Sequence, residues 1–257
     1  MEERLFDDGC VMVIGGSGGI GSGVAQEFAH AGTDVAICYH SRKEAAEDAA
    51  ALVEAAGRQA SVHKVDVQDA ASVAAALDDA CATHRRVHSL VWGAGPLVDQ
   101  VLLSETSAEQ FRRAMEVEVF GFFNAMKAVL PLMRDAGGGS IVHLGSAGDS
   151  WWPPRDGLSV APKATNEALI RGIAREEGRH EIRANSVLVG VIEAGMFLEL
   201  TRKGVFTEEW VTEVQKNLGL KRWGKPADIG AAATFLCSRK ANYITGQQIS
   251  VSGGYGV

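Results

Sequence analysis

The sequence predicts an α/β fold in which helices cover both faces of a doubly wound sheet of seven mostly parallel strands. Short apolar runs alternate with longer amphipathic segments along almost the whole chain, as expected where each strand is followed by a helix. No Pro/Gly/Ser-rich linker interrupts this alternation, so we expect one domain spanning residues 1–257. Strict alternation also favours parallel pairing through right-handed crossovers.

The individual elements follow from periodicity and from the residues at their ends. A capping residue such as Asp69 precedes several of the helical patterns. Residues 190–217 break the alternation, and their mixed Gly, Met, Phe and charged content predicts a mobile segment on the substrate side or an ordinary surface connection. The predicted strands are Cys10–Gly15, Asp34–Tyr39, Ala60–Val65, Ser89–Gly93, Ser140–Leu144, Ala184–Val189 and Gln248–Val251. The predicted helices are Ile20–Ala31, Arg42–Ala56, Ala70–Thr83, Ala108–Arg134, Lys163–Arg179 and Ala227–Ser238.

Composition narrows the class of partner. The net charge of -7, without a Lys/Arg-rich run, argues against nucleic acid or an anionic membrane as the main partner, so a small-molecule substrate is expected. We expect neither a secretion signal nor a membrane span, because the chain shows no apolar leader and no apolar run of spanning length. Separated cysteines without a C-x-x-C motif favour buried reduced thiols over disulfides or a metal site, which predicts a cytoplasmic protein. These cysteines are Cys10, Cys38, Cys81 and Cys237.

A glycine-rich loop with the sequence GGSGGIG lies between the first predicted strand and the first predicted helix. Glycine permits a sharp turn and a close approach of the backbone to a phosphate, and the N–H groups and dipole of a helix N-terminus favour an anion. In this strand-loop-helix setting the loop predicts a dinucleotide site rather than a bare structural turn. The residues predicted to contact the dinucleotide are Gly15, Ser17, Gly18, Gly19, Ile20 and Gly21.

The end of the second predicted strand indicates which dinucleotide binds. An NAD site would place a carboxylate there, whereas this chain has His40, Ser41, Arg42 and Lys43 after Tyr39. Two cations and no acid suit a 2′-phosphate, so we predict NADP, bound in part by His40, Ser41 and Arg42. The alternative is that Arg42 and Lys43 are solvated residues at the start of a helix.

Further motifs occur in the order found in the short-chain dehydrogenase/reductase family, which the chain resembles over nearly its whole length. The motifs are the G-x-x-x-G-x-G loop, Asp66-Val67, Gly93-Ala94-Gly95, Gly145-Ser146, Lys163, Gly190-Val191-Ile192, Tyr243-Ile244-Thr245-Gly246-Gln247 and Val251-Ser252-Gly253-Gly254. The resemblance implies a Rossmann-like fold, a nicotinamide cofactor and a homotetramer. It places Asp66 and Val67 at the adenine, Gly93, Ala94 and Gly95 at the ribose, and Val191 and Ile192 at the nicotinamide end, with Ile192 at the carboxamide. Asp66 has the alternative role of a turn cap, and Val67 that of core packing.

The expected catalytic residues are only partly present. The family's tyrosine, four residues before the lysine, is replaced by Ser159, and its active-site asparagine by Glu118; Ser146 and Lys163 are retained. The resemblance assigns Lys163 to the ribose hydroxyls of the cofactor. The alternative is an exposed lysine at the start of a helix, with Pro162 in the first turn.

The loss of the tyrosine removes the expected proton donor for carbonyl reduction. A serine hydroxyl is a poorer acid than a phenol and is several ångströms shorter, so Ser159 either assists or only leaves space. Reduction of a conjugated C=C needs stabilisation of an enolate oxygen, which Ser146, Ser159 or a water can supply. The dienoyl-CoA reductase branch of the family also has serine at the tyrosine position. Glu118 is a further candidate donor, or else an ion-pair partner of Lys163.

Three aromatic residues are candidates for contact with the substrate or with a second subunit. Trp151 and Trp152 lie between Ser146 and Ser159, and predict an apolar substrate wall or a contact with a second subunit. Tyr255 belongs to a C-terminal tail that could reach a neighbouring subunit. The sequence therefore predicts an NADP-dependent reductase of a carbonyl or conjugated C=C on a partly apolar substrate. The alternative is a catalytically silent NADP-binding protein that acts through a partner.

Overall fold

All neighbouring strands of the central sheet run parallel in the computed structural model, which describes residues 4–256. The seven-stranded sheet has the order β3-β2-β1-β4-β5-β6-β7, so the predicted doubly wound fold is confirmed. Each predicted strand is present, with ends shifted by small amounts. The strands are β1 (Cys10–Ile14), β2 (Asp34–Tyr39), β3 (Ala60–Lys64), β4 (Val87–Trp92), β5 (Gly139–Ser146), β6 (Ile182–Val189) and β7 (Gln248–Val251).

The helices cover both faces of this sheet, and Asp69 caps one of them through a 2.9 Å hydrogen bond from Ala71 N. None of the helices within residues 4–256 combines the length and apolar character needed to cross a bilayer. The helices are α1 (Gly19–His30), α2 (Lys43–Ala55), α3 (Ala70–His84), α4 (Ala108–Met115), α5 (Gly121–Asp135), α6 (Gly157–Glu177), α7 (Gly195–Arg202), α8 (Glu208–Lys216) and α9 (Pro226–Cys237).

Two helical predictions need correction. The predicted helix Ala108–Arg134 is interrupted, because a π-helical turn over Glu116–Phe120 joins α4 to α5. The Gly121 N–H donates to the Glu116 carbonyl across this turn, and Asn166 Nδ2 donates to the carbonyl of Glu118 at 3.0 Å. A side chain from a neighbouring helix thus satisfies a carbonyl inside the wider turn, which is a tertiary effect.

The second correction concerns α6, which begins at Gly157 rather than at Lys163. Pro162 is therefore buried inside the helix, not in its first turn, and removes one backbone donor there. Residues 190–217, which were predicted as a mobile substrate-side segment or a surface connection, contain the short helices α7 and α8.

Two apolar clusters hold the helices to the sheet. One lies on the face that contains Trp92, Phe122 and Ile170; the other contains Phe28 and Leu236 on the opposite face. Such two-sided burial explains why an inner strand such as β1 is a continuous apolar run. In the second layer, α1 approaches α9 so closely that a Cβ at Gly23 would collide with the ring of Pro226.

The topology creates a crevice at the carboxyl ends of the strands. The final residue of β1, Ile14, is paired with Cys38 of β2 on one side and with Trp92 of β4 on the other. The chain leaves β1 and β4 towards opposite faces of the sheet, which is the position where doubly wound sheets bind their ligands. The glycine-rich loop and the turn after β4 both begin here.

Candidate active site

A cavity of about 1440 Å³ opens at this edge of the sheet. It exceeds the range of about 300–1,000 Å³ that is usual for a single small ligand, so it has space for a dinucleotide together with a substrate. The loops after the first six strands contribute to its wall. All residues predicted for the site line this one cavity: Gly15, Ser17, Gly18, Gly19, Ile20, Gly21, His40, Ser41, Arg42, Asp66, Val67, Gly93, Ala94, Gly95, Glu118, Ser146, Ser159, Lys163, Val191 and Ile192.

The glycine-rich loop has a backbone that side chains would obstruct. Gly15 has a φ of 88°, and a Cβ there would lie 2.5 Å from the carbonyl oxygen of Gly93. A Cβ at Gly21 would collide with the carbonyl of Gly15. Positions 15 and 21 therefore have to be glycine for the loop to keep this conformation against the turn after β4.

The N-terminus of α1 faces the cavity and is suited to an anion. Gly18 occupies the N-cap position, no side chain caps the helix, and its first turn has no acidic residue. The first N–H groups of a helix have no partner within it, and the helix dipole adds partial positive charge. These features fit the pyrophosphate of a dinucleotide.

Arg42 and Lys43, which the sequence treats as a pair, have different environments. An Nη2 nitrogen of Arg42 lies 3.7 Å from the position that a Cβ would take at Gly18, beside the glycine-rich loop. Lys43 instead pairs with Glu47 at 3.0 Å on the exposed surface of α2 and is not part of the cavity wall. The structure thus places Arg42 in the cavity wall and Lys43 on the exposed surface of α2.

The turn after β3 is fixed by its own hydrogen bonds. Asp66 Oδ1 accepts from the backbone N–H of Gln68 at 3.0 Å, and the carbonyl of Val67 accepts from Asn124 Nδ2 at 3.0 Å. Val67 also packs against Gly121, where a Cβ would lie 2.9 Å from its Cγ2. Both residues therefore have the structural roles named as alternatives, and both also line the cavity.

Lys163 and Glu118 form an ion pair at the centre of the cavity wall. Lys163 Nζ donates to Glu118 Oε2 at 2.9 Å, and the side chains are 19% and 4% exposed, respectively. A Cβ at Gly95 would collide with the same carboxylate oxygen and lie 3.6 Å from the ammonium. Because an ammonium stabilises a carboxylate anion, this geometry favours Glu118 as the residue that positions Lys163 over Glu118 as a proton donor.

Two serines lie on either side of Lys163 in the cavity wall. Ser146 ends β5, and its Oγ accepts from the backbone N–H of Gly148 at 3.1 Å, which leaves the hydroxyl proton available to a substrate oxygen. Ser159 lies in the first turn of α6, one helical turn before Lys163, so both side chains are on the same helix face. The retained Ser146 and the substituted Ser159 thus line one site.

The structure adds two cavity residues that sequence reasoning did not select or placed elsewhere. Asp156 precedes α6, and its Oδ1 accepts from Gln100 Nε2 at 2.9 Å. Tyr255, in the tail that could reach a neighbouring subunit, lines the cavity of its own chain, with its ring centroid 5.7 Å from that of Trp151. The i, i+3, i+7 spacing of Asp156, Ser159 and Lys163 was a visible signal for the first of these; no sequence signal located Tyr255.

Burial raises the pKa of Asp156 above its ordinary value. The hydrogen bond from Gln100 and the charge of Lys163 both lower this pKa, and burial outweighs them. Burial, together with the negative charge of Asp156, also raises the pKa of Tyr255.

Aromatic residues hold α7 and α8 over the cavity. The rings of Phe206 and Trp210 stack with centroids 3.9 Å apart, and Phe197 contacts both of them at 6.0 and 6.3 Å. Phe197 also packs on Trp223, at 5.2 Å. Together these rings form a small apolar cluster that gives the two helices a common packing surface facing the cavity.

Comparison with known proteins covers the same part of the chain. The family model described as enoyl-(acyl carrier protein) reductase matches residues 15–256. A 7alpha-hydroxysteroid dehydrogenase of Escherichia coli (strain K12) is 31% identical over 252 residues, which cover 97% of this chain and 94% of that protein. A short-chain type dehydrogenase/reductase from Mycobacterium ulcerans has a TM-score of 0.91 at 29% identity, covering 98% and 91% of the two chains. A 7 alpha-hydroxysteroid dehydrogenase complexed with NADH and 7-oxo glycochenodeoxycholic acid has a TM-score of 0.89 at 31% identity, covering 98% and 95%.

Proposed function

Because the chain belongs to the short-chain dehydrogenase/reductase family, we propose that it is an NADP-dependent reductase acting on a carbonyl or a conjugated C=C. The observation that carries this proposal is that one cavity contains both an uncapped helix N-terminus and the Lys163–Glu118 ion pair. The first suits the pyrophosphate of a dinucleotide, and the second supplies a fixed cation for ribose hydroxyls. We also propose one domain and a cytoplasmic location.

The preference for NADP rests on the end of β2. Among the residues that line this part of the cavity, Tyr39, His40, Ser41 and Arg42 offer no carboxylate to a ribose 2′-hydroxyl. Arg42 lies beside the glycine-rich loop, where its guanidinium can pair with a 2′-phosphate. His40 and Ser41 add further donors.

Bound NADPH would supply hydride to the substrate, and the residues of the chain would position both molecules. Lys163 holds the nicotinamide ribose, with its ammonium fixed by Glu118. Ser146 donates a hydrogen bond from its hydroxyl to the substrate oxygen, which gains negative charge as hydride is added. Ser159 lines the same wall with a short side chain and leaves space that a tyrosine would fill.

The wall of the cavity supports a substrate with an apolar portion. Trp151 and Trp152 are 48% and 44% exposed and line the cavity together with Phe197, Phe206 and Trp210. Indole and phenyl faces stabilise apolar groups by removing them from water. The segment 190–217, which contains α7 and α8, is proposed as the mobile substrate-side cover.

We propose a homotetramer, in keeping with the family. Exposed aromatic side chains on α4, α5 and the π-helical turn between them support self-association, since a single chain would leave Phe111, Phe120 and Phe123 in contact with water. The number of subunits is testable through the molar mass in solution, measured by light scattering.

A catalytically silent NADP-binding protein is the second candidate. The replacement of a phenol by Ser159 favours it, because the cofactor residues are present while the expected donor is missing. It would act through a partner that recognises the liganded state.

One experiment separates these functions: NADPH consumption with panels of ketones and enoyl thioesters, together with NADPH and NADH affinities. We expect tight NADPH binding and turnover in one panel, with both strongly reduced in Lys163→Ala. Tight binding without turnover in either panel supports the silent protein and refutes the reductase. A preference for NADH refutes the assignment of Arg42.

A further inference from the structure

Asp156 occupies a helix-capping position without capping the helix. It is the N-cap residue of α6, where an aspartate side chain ordinarily accepts from a backbone N–H of the first turn. Its backbone carbonyl accepts from Ser159 N and Val160 N at 3.0 and 2.9 Å, but its side chain caps nothing. The carboxyl instead takes a hydrogen bond from Gln100 and lines the cavity.

The position of Asp156 matches the direction in which the missing phenol would extend. Asp156, Ser159 and Lys163 are spaced i, i+3 and i+7, so their side chains share one face of α6. A long side chain on a helix lies over the turn that precedes its own Cα. A tyrosine at position 159 would therefore reach towards the turn that begins at Asp156, whose carboxyl lines the same cavity.

Asp156 is half-buried, and the charged groups around it are identifiable. Lys163 faces it from the same helix and is paired with Glu118 of the π-helical turn, while Tyr255 approaches from the C-terminal tail. Arg113 of α4 lines the same cavity. Because burial outweighs the opposing effects of Gln100 and Lys163, the pKa of Asp156 is raised, which extends the protonated form to higher pH.

We propose that Asp156 is a catalytic residue that donates the proton required after hydride addition, in place of the tyrosine. This inference rests on the proposed function. In carbonyl reduction, hydride forms the new C–H bond, and the C=O electron pair moves to oxygen. The Asp156 O–H bond then breaks as a new O–H bond forms on the substrate, and one proton taken up from the solvent restores the carboxyl group. In C=C reduction the same proton goes to the α-carbon of the enolate.

Gln100 is the matching positioning residue. Its Nε2 donates to Asp156 Oδ1 at 2.9 Å, so one carboxyl oxygen is held by an amide while the other can carry the proton. Val101, the next residue, pairs with Asp156 through an isolated β-bridge, which attaches this segment to the start of α6. The donor is thus held by contacts outside its own helix.

The test compares the kcat and the NADPH affinity of Asp156→Asn and Asp149→Asn, using a substrate that the wild-type protein reduces with NADPH. Asp149 lies in the same loop but outside the cavity wall, so it serves as the matched control. General acids contribute about 10²–10⁴-fold to rate, so Asp156→Asn should lower kcat by about 100-fold or more and leave NADPH affinity within about twofold. Asp149→Asn should change neither quantity.

The pH dependence provides a second measurement. The donor must be protonated, so wild-type kcat should fall as pH rises through the pKa of Asp156, and Asp156→Asn should lack this limb. A 13C NMR titration of labelled aspartate carboxyls with NADP+ bound, assigned by difference from Asp156→Asn, should show a pKa above the ordinary aspartate value. Asp156→Glu should recover part of kcat.

Each outcome distinguishes the inference from the function on which it rests. Absence of turnover by the wild-type protein overturns both the reductase function and the proton donor. Wild-type turnover with an unimpaired Asp156→Asn overturns the donor alone. Loss of turnover in Tyr255→Phe but not in Asp156→Asn would transfer the role to the phenol. A titration at or below the ordinary aspartate value also contradicts the proposal.

Discussion

The Lys163–Glu118 ion pair predicts an asymmetric response to removing either charge. Lys163→Met keeps most of the side-chain volume but leaves a carboxylate whose side chain is 4% exposed, whereas Glu118→Gln leaves an ammonium whose side chain is 19% exposed. Breaking a buried pair costs about 3–5 kcal/mol because the remaining charge is uncompensated. The ammonium is on a flexible stem that can reach water, and a glutamine oxygen still accepts its hydrogen bond.

We therefore expect Lys163→Met to lower the free energy of unfolding by about 3 kcal/mol and Glu118→Gln by about 1 kcal/mol or less. For a chain of this size, a loss of about 3 kcal/mol corresponds to a fall in Tm of roughly 6–12 °C. The assay is urea unfolding at one fixed protein concentration, because assembly contributes to apparent stability.

The double variant and a surface control complete this experiment. Lys163→Met combined with Glu118→Gln should be more stable than Lys163→Met alone, since the stranded charge is gone. Lys43→Met, which breaks the exposed pair with Glu47, should leave the free energy of unfolding nearly unchanged, because water screens this pair. A greater loss in Glu118→Gln than in Lys163→Met would refute the reasoning, because it would show that burial does not decide the order.

Three further perturbations have defined outcomes. Arg42→Ala should weaken NADPH binding by about 10–100-fold, with little effect on NADH binding, in fluorescence titrations. The neighbouring Lys43→Ala should alter neither affinity. Equal effects of the two variants would contradict the NADP assignment. Gly21→Ala should abolish dinucleotide binding because its Cβ collides with a carbonyl of the loop, whereas Gly172→Ala in α6, with open space at its Cβ, should raise stability by about 0.5–1 kcal/mol in thermal unfolding. Burial lowers the pKa of His88 to about 4 from an ordinary 6.5. Between these two pH values the unfolded chain binds a proton at His88 that the folded chain does not, so the free energy of unfolding should fall by about 3 kcal/mol as pH drops from 6.5 to 4. His88→Gln should flatten this pH dependence in urea unfolding, and an unchanged slope in the variant would contradict the assignment to His88.

Local patterns were sufficient for the framework of the fold. The inner strands are recognisable because both of their faces are buried, which favours apolar runs such as the CVMVI of β1. The glycine-rich loop could also be identified from the sequence, because its conformation leaves no space for side chains at Gly15 or Gly21. These constraints act within a few residues, so the sequence displays them directly.

Features set by long-range packing were not predictable in this way. The π-helical turn depends on Asn166, which is distant in sequence from Glu118, and α7 depends on ring contacts with α8 and Trp223. The presence of Tyr255 in the cavity likewise requires the tail to pack on Trp151. The start of α6 was missed because Pro162 indicated a first turn, whereas the buried helix tolerates proline at an interior position.

The two carboxyls nearest Lys163 differ in what their surroundings stabilise. Glu118 is almost fully buried, but it receives a direct hydrogen bond from the ammonium, which compensates the charge of its anion. Asp156 interacts with the same ammonium without an ion-pair contact, and for it burial outweighs the interactions that favour the anion. Burial therefore favours the neutral form of Asp156, whereas Glu118 is held against Lys163 by a direct hydrogen bond. On the proposed assignment the loss of the tyrosine does not leave the site without a donor, because Glu118 positions Lys163 and Asp156 gives its proton to the substrate.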